Sequence, residues 1–202
     1  MMVNHDKRIA FVSSIKCATN TTYAVLTRHG YERVGQGFHE TNTAHVRAKG
    51  YHVFTVARNP YERAASVWTS MVARMVQVGY NDRYGLTELC PEAEHSFKAF
   101  ASWLVDNWQD ATHYPKLEVQ RALAPLAVYH NTLTQCEHFA RFEYLQEDLS
   151  QITGITFDQP LPRYNASAEH RYEGILDQET VDILTPWAEV DCIKYGYSVG
   201  TL

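Results

Sequence analysis

The sequence predicts an α/β fold, a central parallel sheet flanked by helices, and three observations carry that expectation. Two segments read as buried strands, Ile9-Ala10-Phe11-Val12 and the β-branched and aromatic run Tyr51 to Ala57. Each ends in a polar turn, and each turn opens a helical pattern. Strands alternating with helices imply parallel pairing through crossover helices. The chain has 202 residues, 45% hydrophobic and 20% charged, which fits a single domain over 1–202 with a sizeable core.

Taken in order, the first strand starts by Arg8 and runs into the turn Ser13 to Thr22. A helix follows and ends near Gly30, as glycine does after a last helical turn. Tyr31 to Val34 reads as a short second strand, and Gly35 to Arg47 as a polar loop entering a short helix. Beyond the strand Tyr51 to Ala57, Asn59 and Pro60 mark a capped helix start, with the helix expected to reach about Gln77. Ser96 to Trp108 is an aromatic-rich helix, with Phe97, Phe100, Leu104 and Trp108 at core spacing. His138 to Phe142 reads as a strand and Tyr144 to Ile152 as a short helix. Leu161 to Ser167 is a loop, and Asp177 caps a terminal helix reaching Ile193, with Pro186 inside it.

Bulk properties remove several function classes. A net charge of -5 argues against general nucleic-acid binding, which needs a basic face. No window approaches the roughly 18 apolar residues of a membrane span. The opening MMVNHDKRIAFV has no apolar leader, so the reading expects a cytoplasmic protein. Cys17, Cys90, Cys136 and Cys192 are far apart and read as reduced thiols. The ten histidines form no H-x-x-x-H or H-E-x-x-H pattern, so no metal site is expected. The aromatic content of Tyr80 to Tyr114 would allow a homodimer.

The chemistry concentrates at two strand ends. After Val12 come Ser13-Ser14-Ile15-Lys16-Cys17-Ala18-Thr19-Asn20-Thr21-Thr22 and then a helix. Opening amides of a helix lack internal partners, and the helix dipole adds partial positive charge there, so phosphate or sulfate binds well. Lys16 adds a full charge, and Thr19, Thr21 and Thr22 add hydroxyls. The turn lacks the glycines of G-x-x-x-x-G-K-[ST], and its lysine comes at the start. At the second strand end stands Arg58, whose guanidinium can hold a phosphate bidentately. Ligands of parallel sheets bind beyond the carboxyl ends of the strands, so Lys16 and Arg58 can face one crevice.

These residues carry a resemblance. The first turn is similar to the 5′-phosphosulfate loop of sulfotransferases that use PAPS (3′-phosphoadenosine 5′-phosphosulfate), here Lys16, Cys17, Ala18, Thr19, Asn20, Thr21 and Thr22. Ile15 stands where that branch often has proline, and Asn20 where threonine is common. Val56 to Trp68 closely resembles the 3′-phosphate motif of the carbohydrate-modifying branch, R-N-P-x-[DE]-R-x-x-S-x-[YW]. That likeness implies that Arg58 and Ser66 hold the 3′-phosphate. Arg141-Phe142-Glu143 looks like the branch's R-F-E strand end, with Glu143 expected to be structural. Leu161 to Ser167 looks like its L-P-x-x-N-x-S loop, which would place Tyr164, Asn165 and Ser167 at the cofactor's adenosine or phosphate end. Asp191, Tyr195, Gly196 and Tyr197 resemble its closing helix; Tyr80 to Leu133 matches nothing in it.

The resemblance implies a P-loop-like three-layer fold, PAPS as donor, PAP as desulfated product and no metal. The acceptor would be a hydroxyl of a saccharide or another small molecule. Lys16 would stabilise the leaving phosphate oxygen during in-line attack. His39, in the H-x-[TS]-like element His39-Glu40-Thr41, is the candidate general base, and Glu40 is the second. His45 falls on the short helix and should face solvent. Two rivals stay open: a non-catalytic PAPS- or PAP-binding module, and a nucleotide kinase, against which the missing glycines count.

Overall fold

A computed structural model of the protein describes residues 1–35, 43–73, 90–114, 116–129, 135–162 and 174–202. In chain order the strands and α-helices are β1 (Met2–Asn4), β2 (Ile9–Phe11), α1 (Thr19–Arg28), β3 (Glu32–Arg33), α2 (Ala44–Arg47), β4 (His52–Ala57) and α3 (Pro60–Trp68). They continue with α4 (Phe97–Asn107), α5 (Leu117–Leu123), α6 (Leu126–Tyr129), β5 (His138–Arg141), α7 (Leu145–Thr153) and α8 (Gln178–Tyr195). The chain folds into two compact units, Met1–Arg58 with Val128–Glu169, and Asn59–Ala127 with His170–Leu202.

The first unit holds the whole sheet, in the order β3-β1-β2-β4-β5. β2, β4 and β5 are parallel, as the alternation of strand and helix requires. The sheet as a whole is mixed, which corrects the expectation of an all-parallel one. β1 pairs antiparallel with β2, with Val3 opposite Ala10, and β3 pairs antiparallel with β1. The reason is local: the turn Asn4 to Arg8 folds back within the sequence stretch read as preceding the first strand. Asn4 Oδ1 accepts from the Lys7 amide at 2.9 Å, and Arg8 takes a positive φ of 53°. Such a short turn joins only antiparallel neighbours.

β4 is the central parallel strand and is buried from Val53 onward. Met1, Val3, Ala10, Val12, Val46 and Val53 pack into one apolar cluster, which fixes the sheet against α2. Gly30 ends α1 at φ 77°, a conformation glycine adopts without steric cost. β5 is followed by a 3-10 turn, Phe142–Tyr144, before α7.

The second unit is helical. Asn59 caps α3, its Oδ1 accepting from the Tyr61 and Glu62 amides at 3.0 and 3.4 Å, with Pro60 at the first position. The α-helix stops at Trp68 and continues as a π-helical turn, Thr69–Ala73; the stretch expected to carry it to Gln77 lies outside the described residues. Ser96 caps α4, and Asp177 caps α8 by accepting from the Thr180 amide at 2.8 Å. α8 runs through Pro186 to Tyr195.

The core of this unit is organised by Arg63, which sequence reading left without a role. Its side chain is fully buried. It donates to the carbonyls of Ala122 at 3.1 Å and Ala124 at 2.7 Å, and its guanidinium lies 4.8 Å from the Trp187 ring centre. Asp191, also fully buried, stands 3.8 Å from it. The same carboxylate accepts from the Leu126 and Ala127 amides at 2.9 and 2.6 Å, satisfying the start of α6.

Candidate functional site

The turn after β2 is built to hold an unusual backbone. The Val12 amide donates to Phe54 O at 2.9 Å, extending the ladder one residue beyond β2. Thr55, fully buried on β4, donates its hydroxyl proton to Val12 O at 2.8 Å. A hydroxyl has one proton, so Ser14 Oγ, 2.6 Å away, donates to Thr55 Oγ1. Thr19 Oγ1 then donates to Ser14 O at 2.9 Å and ties the far side of the turn to its start.

Within that frame Lys16 and Ala18 both take left-handed backbone conformations, at φ 66° and 50°. Non-glycine residues rarely do so, and such strain clusters at ligand-binding sites. Alternation of this kind turns successive backbone N–H groups into an anion-binding concavity. Ala18 is the N-cap of α1, with no side-chain cap bond, and no acidic residue stands in the first turn. The first turn of the helix thus brings no acidic residue of its own to meet the dipole and the amide donors.

The side chains of the turn divide into two groups. Cys17 is buried and its thiol contacts Ile15 O at 3.5 Å, so it offers the turn only its backbone. Thr22 donates to Ala18 O at 3.1 Å, and the Thr19 proton is spent on Ser14. Two of the hydroxyls predicted as ligands, those of Thr19 and Thr22, thus hydrogen-bond within the turn. Thr21 is buried, Lys16 is half-buried and Asn20 is exposed.

Arg58 follows β4 directly and is 8% exposed. Its Nη1 lies 3.5 Å from Lys16 O, and its guanidinium lies 4.3 Å above the Phe142 ring centre. The structure thus brings together Arg58 and the Lys16 turn, as expected from two parallel strand ends. It also identifies Phe142 as the face on which Arg58 rests. The R-F-E stretch was visible in the sequence, but nothing in it pointed to that stacking role. Glu143, expected to be structural, is exposed. In that segment Arg141 pairs with Asp148, at 3.0 and 3.1 Å.

Ser66 is buried on α3, in the second unit. His45 is exposed on α2, as expected. His39, Glu40, Tyr164, Asn165 and Ser167 lie outside the described residues.

In this mixed α/β fold, a turn with left-handed residues stands at a strand end, with a helix start behind it and an arginine beside it, and such an arrangement can take an oxyanion. The chain matches the family model described as Sulfotransferase family over residues 1–189, and it belongs to that family. Neither a curated protein nor a solved structure matches it. Membership makes it a transferase of the sulfuryl-transferring kind, for which a hydroxyl-bearing acceptor and, in general, a PAPS donor are implied. Among the described residues, no helix is long and apolar enough to cross a membrane.

Proposed function

We propose that the protein transfers a sulfuryl group from PAPS to a hydroxyl of a saccharide or similar small acceptor, on a P-loop-like scaffold. The observation that supports this reading most is the approach of Arg58 to the Lys16 turn, because it gathers two cations and an amide-lined helix start at one end of the sheet. The donor set suits a nucleotide bearing two separated anionic groups.

In this reading the opening amides of α1 and the Lys16 ammonium take the 5′-phosphosulfate end. Arg58, over the Phe142 ring, takes the 3′-phosphate, for which the motif also implies Ser66. When bound, PAPS supplies an activated sulfur and a stable nucleotide phosphate as leaving group. Lys16 neutralises charge that grows on the bridging oxygen, and this is worth most where water is excluded. His39 accepts the acceptor's hydroxyl proton, with Glu40 as the alternative base. Tyr164, Asn165 and Ser167 line the nucleotide's other side. The brace of Ser14, Thr19 and Thr55 keeps the turn in its strained shape before ligand arrives, so little ordering cost falls on binding.

The test is sulfuryl transfer from radiolabelled PAPS to a panel of saccharides and phenols, run with wild type and Lys16→Ala. Transfer by wild type and its loss in the variant support the reading. PAP binding without transfer to any acceptor would favour a non-catalytic nucleotide-binding module.

A further inference from the structure

The parallel pairing of β4 and β5 gathers three side chains of metal-ligating type, with His52 lying 85 residues from Glu137 in the sequence and His138 next to Glu137. His52 opens β4, His138 opens β5, and Glu137 precedes it. One ligand atom from each, two imidazole nitrogens and a carboxylate oxygen, lie within 4.8 Å of one another. No short-range histidine spacing announces this group, because the sheet assembles it.

We propose that His52, Glu137 and His138 form a binding site for a late first-row divalent metal ion, with zinc the leading candidate. Two imidazoles and a carboxylate are a donor set that zinc, cobalt and nickel accept, whereas magnesium and calcium prefer oxygens alone. Ligands at about 2.1 Å from a tetrahedral ion lie about 3.4 Å apart, so the three donors need only a small further approach. All three side chains are exposed and can rotate to make it.

The backbone beneath them is already set. The His52 amide donates to Arg8 O at 2.9 Å, and the Glu137 amide donates to Val53 O at 2.9 Å. Glu137 is also oriented: Arg47 holds Oε1 at 3.1 Å, while Oε2 faces His52 Nδ1 at 3.2 Å. An outer-shell partner that aims a carboxylate is what metal sites use to gain affinity. The His52 and His138 rings stand with centres 6.1 Å apart.

This site is separate from the anion turn. His52 and Arg58 lie at opposite ends of β4, and a rise of ~3.3 Å per residue puts roughly 20 Å between them. The ion would therefore clip the amino ends of two strands together without touching the transfer chemistry.

The experiment is calorimetric titration of the full chain with zinc and with nickel, each against His52→Ala, Glu137→Gln and His138→Ala, with magnesium as control. The expected result is one ion per chain, no magnesium binding, and affinity lower by about tenfold or more in each variant. Cobalt should give a d–d absorption band in wild type that the His138→Ala variant loses. Zinc should raise the melting temperature of wild type and not of the variants. Absence of zinc and nickel binding, or binding that survives all three substitutions, would overturn the proposal. Circular dichroism of each variant separates lost ligation from lost fold.

Discussion

The Arg58 guanidinium sits between the Lys16 carbonyl, 3.5 Å from Nη1, and the face of Phe142, 4.3 Å away. Two residues 42 apart in sequence meet because β2 and β4 are parallel neighbours with Phe11 opposite Phe54. The contact places a buried cation beside a turn that already presents amides and a lysine. Phe142 holds the guanidinium plane from one side. Arg58→Lys keeps the charge but loses the planar fork and the stacking. Titration with PAP should therefore find Arg58→Lys closer to Arg58→Ala than to wild type.

Phe142→Ala tests the platform separately. It leaves every charge in place and removes the surface beneath Arg58. Nucleotide affinity should fall by about 0.5–1 kcal/mol, the usual size of an arginine–aromatic contact. An unchanged affinity would mean that Arg58 is positioned by its backbone alone.

The Arg63–Asp191 pair predicts stability, not activity. Both side chains are fully buried, and Asp191 also satisfies two amides at the start of α6. Burial raises the Asp191 carboxyl above the usual range, with Arg63 and the two amides pulling the other way. Asp191→Ala strands a buried guanidinium and two N–H groups, and should cost about 3–5 kcal/mol in denaturant unfolding. Asn59→Ala, which removes the cap of α3, should cost about 1 kcal/mol.

Much of this was legible in the sequence, for reasons that differ by element. The caps Asn59 and Asp177 act over three residues, so local chemistry exposed them. The two strand ends that carry Lys16 and Arg58 were legible because a buried strand followed by a polar turn leaves a periodic trace. The antiparallel β1 was missed: Met2–Asn4 is three residues long, and its pairing depends on the return at Arg8. The left-handed Lys16 and Ala18 could not be anticipated, since neither is glycine and the brace through Thr55 comes from another strand. Arg63 stood in the second motif with no role assigned, and its place in the core was not legible because only tertiary packing brings Asp191 to it.

The acid limb of stability should report on Asp148. Burial raises its carboxyl, but the Arg141 hydrogen bonds and charge outweigh that and hold it below its usual value. A carboxylate depressed in the folded state stabilises fully above its unfolded pKa and loses that contribution as pH falls through the folded one. Wild-type stability should thus decline as pH drops below about 4, and Arg141→Gln should flatten that part of the curve. A pH profile identical in both proteins would remove the ion pair from the account.

Calorimetric titration with PAP on wild type and Arg58→Ala asks whether the Lys16 turn and Arg58 hold the nucleotide. The account predicts micromolar or tighter binding to wild type and a loss of about 2 kcal/mol or more, roughly thirtyfold, in the variant. Failure of PAP to bind wild type, or equal binding to both proteins, would contradict it.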